Sequence, residues 1–258
     1  MGMKIILTTL VLSLLSTAAV QAKEPSSNWI VDIGDAVSHT THICTLKNGG
    51  TMQDIERIDK KLNGFLDAQD IKGFRQILTP LFAAGAKYDY IAFDFMAWDE
   101  FGKEWDLWLG SKKGAAIAAE YAAIEDCDAI VSAAFPLMRK PEIADDDSRI
   151  VAVEWCTRKE GVTQDQLAAK HQQMAKANTD TTTAGWWGVG YPQAGVRDNL
   201  FPGDFYHLVN YSDMKAFAAA KNSIANNNGW RARAEYYSKF ADCTGEHTFT
   251  AETVRNSR

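Results

Sequence analysis

One segment of the chain occurs twice. Residues 44–51 (CTLKNGGT) and 156–163 (CTRKEGVT) share Cys, Thr, Lys, Gly and Thr at a constant separation of 112 residues. The same separation relates three further pairs: Gly73 and Gly185, Ile77 and Val189, and Pro80 and Pro192. Towards the end of each copy the separation grows to 116 for Cys127 and Cys243, as small loop insertions would produce. The repeat predicts two related modules of about a hundred residues each.

Both copies have the same order of predicted elements. A β-branched or aromatic run ends at the first cysteine, and a threonine that can cap a helix follows, with Asp54 or Gln166 three residues later as in a capping box. Residues at helical spacing, two strands, a second helix and a last strand complete each copy. The predicted strands are 39–46 and 149–158, 74–79 and 186–191, and 88–96 and 205–211, and the second helices are about 100–124 and 213–226. Prolines are expected to close the second strands. The order is βαββαβ in both copies.

The N-terminus has the pattern of a secretory signal peptide. Lys4 supplies a positive charge, residues 5–15 form an apolar run, and small residues precede a cleavage position after Ala22. The apolar run is too short to span a bilayer, although a buried N-terminal helix is an alternative. We therefore expect a periplasmic or secreted protein with no membrane contact after cleavage. The expected divisions are a signal peptide at 1–22, modules at 23–138 and 149–258, and a linker at 139–148.

Four cysteines in an oxidising compartment predict two disulfides, for which three connectivities exist. The order βαββαβ is that of the ferredoxin-like fold. In its sheet the first and last strands are antiparallel neighbours, so the end of the first lies beside the start of the last. We therefore expect one disulfide in each module, pairing Cys44 with Cys127 and Cys156 with Cys243.

Two tandem ferredoxin-like modules resemble the dimeric α/β-barrel superfamily in a fused, pseudo-dimeric form. The resemblance covers nearly all of the chain after the signal peptide and rests on the element order and the repeat. It implies an α+β fold in which helices cover one face of each sheet and the opposite faces enclose a barrel. It also implies a ligand between sheet and helices or inside the barrel. Members include cofactor-independent monooxygenases, cyclases, dehydratases, muconolactone isomerases and haem enzymes related to chlorite dismutase.

The net charge of the chain limits the classes of molecule that it is expected to bind. The chain has 27 basic and 33 acidic side chains, for a net charge of −6, and has no block rich in lysine or arginine. Neither nucleic acid nor an anionic membrane is therefore expected as a partner. Because fused modules would close the barrel within one chain, we expect a monomer or a weak homo-oligomer whose partner is a small-molecule ligand.

Strand alternation assigns the candidate catalytic residues to one face of the sheets. The apolar residues Ile91, Phe93, Phe95, Val151, Val153 and Trp155 are expected to pack against helices. The face expected to line the barrel carries His42, Tyr90, Asp94, Glu154, Tyr206, Asn210 and His247. A histidine with a carboxylate and a phenol suits proton abstraction beside a carbonyl. The candidate base is His42 or His247, its orienting carboxylate Glu154 or Asp94, and the donor Tyr206 or Tyr90.

The sequence thus predicts an exported protein that acts on a small organic molecule, with acid–base chemistry of monooxygenase, isomerase or cyclase type and no cofactor. A non-catalytic ligand-binding or sensing protein and a structural protein with a filled pocket are alternatives. The first would use the same pocket without catalysis, and in the second the polar residues would only satisfy one another. A haem-binding barrel is a further alternative, with His207 or His171 as the axial ligand. No His-x-His or His-x-x-x-His pair occurs, so no metal site is predicted.

Overall fold

Eight strands of this chain form one closed barrel. The computed structural model describes residues 33–144, 146–196 and 202–257, so the predicted signal peptide lies outside the described residues. The strands are β1 (Val37–Leu46), β2 (Gly73–Phe82), β3 (Tyr90–Met96), β4 (Glu125–Arg139), β5 (Ser148–Arg158), β6 (Trp186–Ala194), β7 (Phe205–Tyr211) and β8 (Ala241–Ser257). Their order around the barrel is β1-β3-β2-β8-β5-β7-β6-β4, and the neighbours pair antiparallel. Each half of the chain therefore contributes four neighbouring strands in the same order, β4-β1-β3-β2 and β8-β5-β7-β6.

The helices lie outside the barrel. They are α1 (Met52–Asp67), α2 (Trp98–Gly110), α3 (Lys112–Ile124), α4 (Gln164–Asn178), α5 (Met214–Asn226) and α6 (Gly229–Lys239). Thr51 and Thr163 cap α1 and α4, and each forms the capping box that the sequence predicts. Within the described residues, no helix combines the length and the apolar character that crossing a membrane requires.

The second helix of each half is broken in two, which differs from the sequence prediction. The predicted helix 100–124 ends at Gly110, and Ser111 then caps a new helix by accepting a hydrogen bond from the backbone N–H of Gly114. In the second half α6 follows the predicted helix after Asn228, which adopts a left-handed conformation with φ of 64°. A glycine followed by a serine marks the end of one helix and the start of the next, and the spacing of the apolar residues alone did not reveal this break.

Prolines do not end the second strands, contrary to the prediction. β2 continues through Pro80 to Phe82, and β6 continues through Pro192 to Ala194. β2 pairs with β3 only as far as Leu78, so Pro80 faces no partner on that side, and its register with β8 shifts just beyond. A proline without a ladder bond to donate is compatible with a strand edge or an irregularity.

The predicted disulfides are confirmed. Cys44 is bonded to Cys127 and Cys156 to Cys243, and each pair also occupies opposite positions in the register of adjacent strands. Each bond lies between the first and last strands of its half.

Apolar side chains fill the barrel interior, and this overturns part of the predicted face assignment. The interior cluster consists of strand residues from both halves, and Ile91, Phe93, Phe95, Val151 and Val153 belong to it. Trp155 packs against the same cluster. The opposite faces pack on helices, as where Cys44 and Tyr90 contact α1 and α3 residues. Apolar residues line both faces of these strands, so hydrophobicity could not tell the interior from the helix-covered face.

Candidate functional site

A cavity of about 380 Å³ lies between the first-half sheet and the helices that cover it. Such a volume is within the range of small-molecule sites. The strands contribute His42, Arg75 and Asp94 to its wall, and α2 contributes Glu104, Trp105 and Trp108. The cavity therefore has a charged floor on the sheet and an aromatic roof.

The floor is organised by Arg75, which is only 8% exposed. Its Nη1 lies 2.6 Å from Oδ2 of Asp94, and its Nε lies 3.1 Å from Oδ1 of Asp59. The hydroxyl of Tyr121 donates to the same oxygen of Asp59 at 2.6 Å. One guanidinium is thus shared by two carboxylates, and a buried charge of this kind needs such partners.

Asp94 also contacts His42, whose Nε2 lies 3.4 Å from Oδ2 of Asp94. Burial alone would raise the pKa of Asp94, but the charge of Arg75 and the contact with His42 lower it to about 2. Asp94 is therefore a carboxylate at neutral pH and favours the tautomer of His42 with a proton on Nε2. Nδ1 of that tautomer keeps a lone pair, so the pair has the arrangement of a base and its orienting group.

Glu104 lies on α2 in the roof of the cavity and is a residue that the sequence analysis missed. Burial, and then the charge of Asp94, raise the pKa of its carboxyl to about 7. In the part of the chain that the structure describes, Glu104 makes no hydrogen bond and no ion pair. Its helical position one turn from Trp108 places it on the aromatic face of α2, which is the sequence signal that could have identified it.

Tyr90 lines the same cavity, but its hydroxyl is already used. It donates to Oε2 of Glu125, and burial raises the pKa of both groups above their ordinary values. Tyr90 is thus held in place by Glu125, which limits it as a donor to a ligand.

Two other candidate residues, Tyr206 and His247, lie on the interior face of the barrel. The hydroxyl of Tyr206 is hydrogen-bonded to Nδ1 of His39, whose ring stacks on Phe95 with centroids 4.1 Å apart. Complete burial lowers the pKa of His39 to about 3, so this imidazole is neutral. His247 is the register partner of Val153 in the interior cluster. Neither Tyr206 nor His247 is in the wall of the cavity that contains His42.

Glu154 lies on the helix-covered face of the second half, at the position equivalent to His42. Its Oε1 accepts from Nη2 of Arg233 at 2.9 Å and from the hydroxyl of Tyr237 at 2.5 Å. Arg233 also contacts Glu246, which pairs with Lys221. This alternating chain of charges borders a second cavity of about 260 Å³.

His207 lines this second cavity, and the ring of His171 lies next to it, with centroids 5.0 Å apart. The indole N–H of Trp187 donates to Nδ1 of His207 at 3.2 Å, and the hydroxyl of Tyr236 lies 3.1 Å from Nε2 of His207 and 2.8 Å from Nε2 of His171. Since an indole only donates, the proton of His207 is on Nε2, and Tyr236 must donate to His171. Burial lowers the pKa of His207 to about 3 and of His171 to about 2. The network is neutral, and its hydrogen bonds all run in one direction, from Trp187 through His207 and Tyr236 to His171.

These histidines are not suited to bind the haem that is found in some members of the superfamily that this fold resembles. An axial ligand must offer a lone pair on nitrogen to the iron. Nδ1 of His207 accepts from Trp187, Nε2 of His207 carries a proton, and Nε2 of His171 accepts from Tyr236. The axial role considered for His207 and His171 would break this buried network, so no chemistry is assigned through haem.

No protein-family model and no curated protein matches this sequence. Solved structures do match. A provisionally assigned monooxygenase from Lactobacillus acidophilus shares 7% identity at a TM-score of 0.56, over 86% of this chain and 97% of the other. One from Fusobacterium nucleatum shares 7% identity at a TM-score of 0.57, over 87% and 95%. A provisionally assigned chlorite dismutase shares 12% identity at a TM-score of 0.50, over 86% and 96%. At these identities the likeness concerns the fold alone.

Proposed function

We propose that this chain, which has the fold of the dimeric α/β-barrel superfamily, is an enzyme that transfers protons on a small organic molecule. The reaction takes place in the first-half cavity. The observation that carries the proposal is the contact between His42 and Asp94 in the wall of that cavity, 3.4 Å from Nε2 to Oδ2. A histidine whose Nε2 is held by a fixed carboxylate has the arrangement of a general base.

His42 removes a proton from a carbon next to a carbonyl group. The electron pair of the broken C–H bond moves into the carbonyl, whose oxygen becomes an enolate oxygen, and Nδ1 of His42 gains the proton. Asp94 stabilises the imidazolium, and the positive charge of that imidazolium lies beside the enolate. In a β,γ-unsaturated carbonyl compound the enolate is conjugated with the double bond, and return of the proton to the γ-carbon gives an isomer. Of the predicted reaction types, isomerisation needs only such proton transfers. Cyclisation also needs the enolate carbon to attack a second carbonyl carbon of the same molecule, whose oxygen takes the electron pair of the broken π bond and then the proton.

Deuterium exchange tests this proposal without knowledge of the natural substrate. The purified protein is incubated in D2O with a panel of aryl ketones such as 2-tetralone, and wash-in at the α-carbon is followed by NMR. We expect at least one ketone to exchange faster with the wild type, and His42→Asn to lower that rate by roughly 100-fold or more. His247→Asn is the matched control and should keep the wild-type rate. Ligand binding without exchange would favour the binding-protein alternative, and equal loss in both variants would contradict the role of His42.

The two halves are proposed to be copies of one ferredoxin-like module, at 23–138 and 149–258 with a linker at 139–148. Their equal strand order, equal capping boxes and equal disulfide positions support this division. Because all eight strands come from one chain, a monomer or a weak homo-oligomer is sufficient for a closed barrel. Light scattering at several concentrations tests this.

Export to the periplasm, or secretion, is part of the proposal. Two disulfides support it, since such bonds persist in oxidising compartments. Intact-mass analysis of protein expressed in a Gram-negative host should show cleavage after Ala22. An uncleaved N-terminus in the exported protein would contradict the proposed signal peptide.

A further inference from the structure

We propose that the ligand of the first-half cavity is an organic cation, an amine or quaternary ammonium attached to an aromatic or similarly flat group. The inference rests on the proposed function only in taking this cavity as the site. It is carried by three features of the wall: the excess of carboxylates on the floor, an unpartnered carboxyl in the roof, and the aromatic rings beside that carboxyl.

The floor has more negative than positive charge. The guanidinium of Arg75 in the wall pairs with Asp94, also in the wall, at 2.6 Å and with Asp59, which lies behind the wall, at 3.1 Å. Oδ2 of Asp59 is buried and has no hydrogen-bond partner among the described residues. Two carboxylates already neutralise the guanidinium of Arg75, so an anionic ligand would find no free positive charge on this surface. The charge balance therefore favours a positively charged ligand.

The roof supplies a carboxyl group that lacks a partner. Glu104 projects into the cavity from α2, and no lysine or arginine pairs with it in the described parts of the chain. Other charged groups of α2 are arranged differently, as in the pairing of Lys103 with Glu100. A partly buried carboxyl is stabilised in its charged form only by a cation or a donor, and within this cavity the ligand can provide either.

The rings beside Glu104 suit a cation as well. Trp105 and Trp108 line the cavity from the same helix, and Tyr90 lines it from the sheet. The faces of tryptophan and tyrosine attract ammonium groups, most strongly where water is excluded. A neutral ligand would gain the apolar contacts but would leave Glu104 without a partner.

Three probes of similar shape separate these possibilities. They are 3-hydroxyphenyltrimethylammonium, its neutral isostere 3-tert-butylphenol, and the anion 3-hydroxybenzoate, and their binding to the full-length protein is measured by calorimetry at neutral pH. We expect the cation to bind at least tenfold more tightly than the isostere, and the anion to bind most weakly. Isostere or anion binding as tight as that of the cation would overturn the inference.

Variants on one helix locate the effect. Glu104→Gln should weaken binding of the cation at least tenfold and leave binding of the neutral isostere unchanged, which also shows that the variant is folded. Asp106→Asn removes a carboxylate from the exposed face of the same helix and should change neither affinity. Unchanged cation binding in Glu104→Gln would contradict the inference. Cation binding without proton exchange would contradict only the proposed function. Proton exchange without a preference for the cation would contradict only this inference.

Discussion

Asp59 and His171 occupy equivalent positions in the two halves, 112 residues apart, and each accepts a hydrogen bond from a tyrosine of its half. The donors are Tyr121 at 2.6 Å and Tyr236 at 2.8 Å. The same tyrosine contact thus holds a carboxylate in one half and a neutral imidazole in the other. The exchanged side chain therefore gives the first half a charged cluster around Arg75 and the second half a neutral histidine network at the same place.

Arg75→Met should be strongly destabilising. The substitution leaves Asp59 and Asp94 buried without their cation, and breaking a buried ion pair in this way costs about 3–5 kcal/mol. Arg57→Met is the control, because Arg57 pairs with Glu120 at the surface, where such a pair contributes about 0–1 kcal/mol. Urea denaturation measures both, and equal losses in the two variants would contradict the role assigned to Arg75.

Gly190→Ala should also destabilise the protein, because a Cβ at Gly190 would overlap the buried ring of Tyr206. Overpacking of this kind typically costs about 1–3 kcal/mol. Gly64 lies in α1 with open space around its position, so Gly64→Ala should instead stabilise by about 0.5–1 kcal/mol. Thermal unfolding of the two variants should therefore shift in opposite directions. A Gly190→Ala variant as stable as the wild type would show that the ring of Tyr206 has room to move.

Acid should destabilise the fold below about pH 6.5. Burial lowers the pKa of His39 and His207 to about 3 and of His171 to about 2, so between those values and 6.5 the unfolded chain binds more protons. Stability therefore falls as the pH falls, by about 2 kcal/mol per histidine at pH 5. Glu104, with a raised pKa of about 7, and Glu125, whose pKa burial also raises, act in the opposite direction, but they are two groups against three. Urea midpoints at pH 7.5 and 5 measure the difference, and a higher midpoint at pH 5 would contradict it.

Each disulfide should contribute comparably to stability. The bonded cysteines are 83 and 87 residues apart, and closing loops of this length contributes about 4 kcal/mol on the chain-entropy account. The double variants Cys44→Ser with Cys127→Ser, and Cys156→Ser with Cys243→Ser, should each lose an amount of this order in urea denaturation. Peptide mapping without reduction is the direct check of the pairing. A crosslink between Cys44 and Cys156 would contradict the division into two halves.

Local signals and the repeat made much of the fold predictable. Capping boxes depend on residues three apart, and the disulfides follow from the strand order, so both could be derived from the sequence. The faces of the strands could not, because a closed barrel with helices outside buries both faces. His42 and Asp94 were identified by residue type but assigned to the barrel interior, whereas they lie under the helices. Arg75, which connects Asp94 to Asp59, was not identified because most residues of its strand are apolar.

The most direct test of the central claim is a double-mutant cycle on His42 and Asp94, read out by deuterium exchange of the best ketone. If Asp94 acts by orienting His42, the single substitution Asp94→Asn should slow exchange. Added to the His42→Asn variant, the same substitution should have no further effect. The His42→Asn variant and the double variant should then have the same rate, roughly 100-fold or more below the wild type. Losses that add independently, or a wild-type rate in His42→Asn, would contradict the claim that these two residues form the proton-transfer site.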